Sequence, residues 1–408
     1  MVGVGSAVVC FMLGGILPSI TLAFPTGVSS KARDLHFRSI VIDTHADTTQ
    51  RLLAADFDFG ARHTDGSIDI PGLREGGVAA VFLAIWVPGP VTGREAVQRA
   101  LDQIDAVRRH VELHPNDLRL ATTARDIRRA RAAGQIAVLL GVEGGHMMNH
   151  DLDVLRQYAS LGARYMTLTH MRNTDWADAS TDSAVHNGLS DFGKQVIREM
   201  NRLGILVDVS HVSDKAFRDV LATSEAPVFA SHSSCSAICE TPRNLSDDLI
   251  RALAAKGGVI QINFHVGFIS QKFRDAEKAN PELQREMEAE TNRRCGENEP
   301  RRLVESDKVV REYVAAGKLP RVGWTEIVDH IDHAVKVAGI DHVGLGSDFD
   351  GADMPYGMED ASHLPQITEA LLGKGYSETG IQKILGGNTL RLLQDVESAA
   401  KPTRGTKS

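Results

Sequence analysis

From residue 39 onward the chain alternates β-branched runs with amphipathic stretches, and this alternation narrows the choice of fold more than any other feature. Eight runs read as strands: 39–43 (SIVID), 78–87 (VAAVFLAIWV), 136–142 (IAVLLGV), 164–169 (RYMTLT), 205–210 (ILVDVS), 228–231 (VFAS), 259–264 (VIQINF) and 343–347 (VGLGS). Helical patterns at 94–113, 124–133, 189–203, 214–223, 247–256 and 325–338 fall between them. Several helical patterns, including one before Gly162, stop at a glycine, the others at Gly134, Gly204 and Gly257, as a helix C-cap before a strand requires. Eight βα units predict an α/β fold of the (β/α)8 TIM-barrel type, with a doubly wound open sheet as the competing arrangement. A barrel with insertions can absorb the whole chain of 408 residues as one domain.

Residues 31–398 are therefore expected to form the barrel. Residues 270–322 interrupt its rhythm with a Lys-, Arg- and Glu-rich helical insertion between the seventh and eighth candidate strands, read as a solvated hairpin near the barrel mouth. The tail 399–408, AAKPTRGTKS, reads as disordered and too polar for a C-terminal lipid-anchor signal. At the other end, residues 2–24 carry no charged side chain, and small-residue cleavage sites follow at Thr21-Leu22-Ala23 and Val28-Ser29-Ser30. Residues 1–30 are expected to be a signal peptide that exports the protein, or else an uncleaved membrane anchor. With 45 Lys and Arg against 53 Asp and Glu, the net charge of −8 repels phosphate backbones and argues against a nucleic-acid partner. Four cysteines are too few for a disulfide scaffold.

Polar residues gather at the C-terminal ends of the candidate strands, the rim on which barrel enzymes build their sites. His45 and Asp47 follow the first strand, Glu143 the third, His170 the fourth, His211 the fifth, His232 the sixth and Asp348 the eighth. Each taken alone has an ordinary explanation. His45-x-Asp47 reads as a hydrogen-bonded turn, Glu143 as a carboxylate in a glycine turn, and a single strand-end histidine as a structural imidazole. Together they change the reading, because His45 and Asp47 share one face of an extended chain and His211 and His232 end consecutive strands facing the same mouth. Three histidines and two carboxylates suit two zinc ions if one carboxylate bridges them. Such a pair, roughly 3.5 to 4 Å apart, is equipment for metal-assisted hydrolysis, and Asp348 stands where a general base would.

The motifs VIDTHADT (41–48), GVEGGH (141–146), YMTLTHMRNTDWAD (165–178), VDVSHVS (207–213), ASHSS (230–234), PRNLSDDLI (242–250), HVGLGSDFDG (342–351) and GGNTLRLL (386–393) occur in that order. They resemble the membrane (renal) dipeptidase family of zinc metallopeptidases, a branch of the amidohydrolase-type barrels. The resemblance implies that His45 and Asp47 ligate one zinc, His211 and His232 the other, and that Glu143 bridges them. It implies that His170 contacts the substrate and stabilises the tetrahedral intermediate, that Arg243 takes the substrate α-carboxylate, and that Asp348 shuttles the proton. Read from the residues alone, Arg243 in Pro-Arg-Asn is a surface arginine at a helix start, although its guanidinium fork suits a carboxylate. His265, in NFHVGF (263–268), stands where the family often carries an aromatic substrate contact. The implied activity is hydrolysis of free dipeptides, including those with a C-terminal D-residue, and the implied assembly is a homodimer. Two other readings remain open: the same metal chemistry on another small amide or lactone, and a non-catalytic zinc-binding barrel.

Overall fold

The computed structural model describes residues 27–401 apart from residue 297, with the backbone alone at 299, 300 and 303. Most of the expected 1–30 leader, and Cys10 with it, lies outside the described residues. Nine strands are present among the described residues: β1 (Val41–Ala46), β2 (Val78–Trp86), β3 (Leu118–Leu120), β4 (Ile136–Glu143), β5 (Ala163–Thr167), β6 (Leu206–Asp208), β7 (Phe229–Ala230), β8 (Val259–Ile262) and β9 (Val343–Leu345). All their pairings are parallel. The order runs β2-β1-β9-β8-β7-β6-β5-β4, and the sheet closes where β2 pairs with β4 in unbroken register from Ala80–Ala137 to Trp86–Glu143. The result is an eight-stranded (β/α)8 barrel rather than an open sheet, with helices between the strands.

β3 is the strand the sequence did not announce. It has three residues, its middle Arg119 is exposed, and it pairs only with Ile136–Val138 at the start of β4, outside the closed ring. So short a run carries no hydrophobic period.

Within the barrel strands the side chains alternate between two apolar clusters. Val41, Val81, Leu83 and Ile85 belong to the large cluster that packs beneath the helices. Ile42, Phe82, Leu139, Tyr165, Leu206 and Phe229 fill a second one, which continues into Leu390, Leu393 and Val396 of the helix Asn388–Ala399. That helix caps the end of the barrel from which the strands start. Asn388 Nδ2 donates to the carbonyls of Ile340 and Val343, and Arg391 to those of Gly257 and Asp341. With the N-terminal end plugged, the cavity available for chemistry lies at the C-terminal ends of the strands.

Several boundaries differ from those expected. Ser29 already belongs to the fold: its Oγ caps the helix Ser30–Arg38 and donates to Glu369. Ala399 ends the last helix, and Lys401 N donates to Arg202 O, so the chain is held beyond the start of the expected tail. Residues 402–408 lie outside the described residues. Between β8 and β9 run the helices Gln271–Ala279, Pro281–Cys295 and Glu299–Ala315. Phe273, Leu283, Met287 and Val309 from these helices are buried in the large core cluster. Arg311 Nη2 donates to Met354 O, and Asp307 Oδ1 accepts from Met354 N, tying the third of them to the loop after β9. No helix among the described residues is long and apolar enough to cross a membrane.

Candidate metal centre

At the C-terminal ends of the strands the chain encloses a cavity of about 280 Å³, lined by Asp47, Glu143, His170, His211, His232, Arg243 and Asp348 and by the apolar faces of Trp86, Met171 and Phe268. A larger cleft of about 580 Å³ lies beside it under the helix Glu299–Ala315 and shares Ala352 with it, but none of the strand-end imidazoles opens there.

Glu143, the last residue of β4, is the hub. His211 Nε2 lies 3.1 Å and His232 Nε2 3.3 Å from its Oε1, His170 Nε2 3.8 Å from the same oxygen, and His45 Nε2 3.5 Å from Oε2. His45 Nε2 is also 3.6 Å from Asp47 Oδ2 and 3.8 Å from Asp348 Oδ1. Three overlapping groups thus have ligand atoms within 4.8 Å of one another: His45, Glu143 and His232; Glu143, His170 and His211; His45, Asp47 and Asp348. The structure brings together every residue expected at the rim.

The donor set fits divalent zinc. Imidazole nitrogens and carboxylate oxygens are its ordinary protein ligands. His45 Nε2 and Asp47 Oδ1 are buried without a hydrogen-bond partner, an arrangement that a cation between them would satisfy. Burial pushes the pKa of His211 well below its ordinary value and lowers His170 and His232 as well, which favours the neutral ring that binds metal. Burial would raise Glu143, but the imidazoles of His45 and His170 hold it well below the usual carboxylate range. Burial also opposes charge on His45, yet the Tyr165 oxygen and the Glu143 and Asp47 carboxylates outweigh it and push its pKa well up. The pocket therefore demands positive charge at His45, a demand that a bound cation meets without the proton.

The ligand rings are oriented from behind. His45 turns Nε2 to the carboxylates, and on its other side its Nδ1–H donates to Tyr165 Oη, 2.8 Å away. His232 Nδ1 likewise meets Ser231 Oγ at 2.7 Å, and that hydroxyl donates to Asp208 Oδ2 at 2.6 Å. Gly141 makes room for the tyrosine, since a Cβ there would lie 1.9 Å from Tyr165 Cζ. His211 and Asp348 both sit in left-handed backbone, at φ 68° and φ 66°, a conformation costly for residues with a Cβ and held here by the surrounding loops.

Arg243 is buried rather than on the surface that its local sequence suggests. Its guanidinium lies over the Phe268 ring at 5.3 Å, and Nη2 donates to His232 O at 3.1 Å. Its Nε has no partner, and although burial pushes its pKa down to about 10 it stays protonated at neutral pH. A charged fork with spare donors faces a cavity whose other end holds the carboxylate cluster. Asp348 Oδ2 accepts a hydrogen bond from Asn263 Nδ2 at 2.8 Å, and burial, which would raise Asp348, is outweighed by the His232 and His45 imidazoles, so its pKa is lowered.

Tyr165, Asp208, Ser231 and Asn263 escaped the sequence reading. Asp208 had a signal: an acid inside the apolar strand run ILVDVS is buried and must be paired. Tyr165 and Asn263 had none, since an inward tyrosine reads as core and a strand-end asparagine as a turn.

The model of the family described as Membrane dipeptidase (Peptidase family M19) matches residues 29–407. Dipeptidase tcpJ of Claviceps purpurea (strain 20.1) is 34% identical over 352 residues, which cover 83% of this chain and 72% of that protein. Dipeptidase 3 of Mus musculus is 32% identical over 348 residues, covering 84% of this chain but only 60% of the mouse protein's length. Among solved structures, the probable dipeptidase PvdM from Pseudomonas aeruginosa is similar with a TM-score of 0.77 at 29% identity, over 91% of this chain and 98% of that one. A metallo peptidase from Rhodobacter sphaeroides, liganded with a phosphinate mimic of the dipeptide L-Ala-D-Ala, is similar with a TM-score of 0.72 at 26% identity, over 88% of this chain and 99% of that one.

Proposed function

Because this chain belongs to the membrane dipeptidase family, peptidase family M19, we propose that it is a zinc-dependent dipeptidase that hydrolyses the peptide bond of free dipeptides. The observation that carries the proposal is the convergence of four imidazole Nε2 atoms on the two oxygens of Glu143, with His45 Nε2 and Asp47 Oδ1 buried and unpartnered beside it. In this reading His45 and Asp47 would hold one zinc ion, His211 and His232 a second, and Glu143 would be shared by the two. A zinc pair supplies Lewis acidity for a scissile carbonyl and acidifies water towards neutral pKa.

The chain's own residues account for the remaining steps. Arg243 binds the free α-carboxylate of the C-terminal residue with its guanidinium fork, which confines cleavage to the bond beside a free C-terminus, the one peptide bond of a dipeptide. His170 lines the cavity beside Glu143 and donates to the carbonyl oxygen as it gains charge. Asp348 accepts the proton of the attacking water and delivers it to the departing amine, with Asn263 fixing its other oxygen. The Rhodobacter sphaeroides relative's ligand, a mimic of L-Ala-D-Ala, supports acceptance of a C-terminal D-residue here.

The test is amine release from L-Ala-L-Ala, L-Ala-D-Ala and a wider dipeptide panel, before chelation, after it, and after zinc is returned. The expected result is cleavage that is lost with the metal and regained with zinc. A folded, zinc-loaded protein that cleaves none of them would overturn the proposal.

A further inference from the structure

We propose that Asp350, which touches neither the cavity nor a ligand atom, is a positioning residue that sets the proton-carrying Asp348 against the metal-ligating Asp47. The inference rests on the reading of Asp348 as the proton carrier.

The chain after β9 runs Asp348-Phe349-Asp350-Gly351, and both aspartates adopt left-handed backbone, at φ 66° and φ 62°. A free loop does not hold two such residues one apart, so contacts from outside must fix them. On one side the backbone continues the β1–β9 pairing past both strand ends. Asp348 N donates to His45 O at 3.0 Å, and Asp47 N donates to Phe349 O at 2.8 Å. Phe349 points into the core and meets Phe264 edge to face. On the other side the Asp350 carboxylate, with its side chain 1% exposed, is held at both oxygens. Thr48 Oγ1 donates to Oδ2 at 2.6 Å and Ser67 N to Oδ1 at 2.6 Å, and Arg51 Nη1 is 3.6 Å from Oδ1.

Thr48 is the residue after Asp47, so the Thr48–Asp350 bond joins the segment carrying one functional carboxylate to the segment carrying the other. The backbone of Gly351 passes close to both carboxylates. A Cβ there would stand 1.7 Å from Asp47 Oδ2 and 2.7 Å from Asp348 Oδ1. The glycine leaves room for both carboxylates to approach, and the bonds behind the loop set their separation: the Asp350 carboxylate gathers these from two stretches of chain, Thr48 with Arg51 and Ser67.

Asp350→Asn keeps the size and tolerance of left-handed backbone while removing the charge and one of the two strong acceptors. Its expected effect on the zinc-loaded full chain acting on L-Ala-L-Ala is a kcat lowered about tenfold or more, with KM and zinc content within twofold of the parent. Thr48→Val should lower kcat in the same way, and Thr48→Ser should restore it. A kcat for Asp350→Asn within twofold of the parent overturns the proposal. So does a loss of activity that follows loss of zinc in proportion, since Asp350 would then only support the metal. If Asp350→Asn fails to fold, the Thr48 pair decides: equal kcat for Thr48→Val and Thr48→Ser overturns the proposal. Asp348→Asn separates the two levels, because full turnover in that variant sinks the proton-carrier reading itself. An inactive Asp348→Asn beside an unaffected Asp350→Asn sinks only the positioning role.

Discussion

Replacing Tyr165 with phenylalanine should weaken zinc binding while leaving the barrel intact. The ring is fully buried between Phe82 and Phe229, so the substitution keeps its volume and opens no cavity. What it removes is the acceptor 2.8 Å from His45 Nδ1. Without metal the His45 ring, whose charge the tyrosine oxygen helps to stabilise, can in the variant release its Nδ1 proton and keep the one on Nε2, towards the carboxylates, so the cost is smaller. Zinc at Nε2 forces the proton onto Nδ1, and in the variant that buried N–H has no partner, at a cost of about 1–3 kcal/mol. Because the cost falls on the metal-bound state, it should appear as about a 10- to 100-fold loss of zinc affinity. Competition against a chelator of known affinity measures this directly, and activity should return when free zinc is raised. Gly141→Ala should give the same defect by forcing the tyrosine ring aside, with about 1–3 kcal/mol of overpacking strain in addition. Zinc affinity for Tyr165→Phe within twofold of the parent would refute the reasoning.

Asp348→Asn should retain zinc, measured by elemental analysis, while turnover falls by about 10²- to 10⁴-fold. Arg243→Met should raise KM for dipeptides about 10- to 100-fold, the worth of a charge-assisted hydrogen bond, and should abolish the parent's discrimination against dipeptide amides in competition assays. Two buried imidazoles should limit stability in acid. Burial pushes both His36 and His330 down to about 4, whereas an unfolded histidine titrates near 6.5. A folded pKa that is depressed gives a contribution present above about pH 6.5 and lost as pH falls towards 4, at most about 3 kcal/mol for each. Thermal melts from pH 7 to pH 4 should therefore converge for the parent and His36→Gln as the pH falls, and melting curves that fall in parallel would contradict this assignment.

The barrel was legible because its signal is local and repeated. A strand buried on both faces, such as VAAVFLAIWV, becomes an apolar run, and a polar residue that ends such a run lands on the rim. His45, Glu143, His170, His211, His232 and Asp348 could be found in that way. Closure could not, because the seam from Ala80–Ala137 to Trp86–Glu143 depends on strand order around the ring, which no single segment encodes. Nor could the supports of the site. Tyr165 reads as core and Arg243 as surface, Asp350 carries no signal of its own, and each acquires its role from a partner distant in sequence: His45, the His232 carbonyl and Thr48. The helices Gln271–Ala279, Pro281–Cys295 and Glu299–Ala315 show the same limit, since their charged composition suggests a solvated excursion while Phe273, Leu283, Met287 and Val309 carry them into the core.

The centre draws its side chains from both ends of the barrel sequence, from His45 at β1 to Asp348 beyond β9, with Glu143, His211 and His232 between. A chain emerging from the ribosome presents His45 and Asp47 first, a pair too small to retain zinc against cellular competitors. Only after β7 has been synthesised does the last proposed ligand exist, and only after β9 has joined β1 to β8 are the segments held in one ring. On the proposed ligand set, metal acquisition would wait for the end of biosynthesis, and an amino-terminal fragment released by premature termination would lack a complete centre.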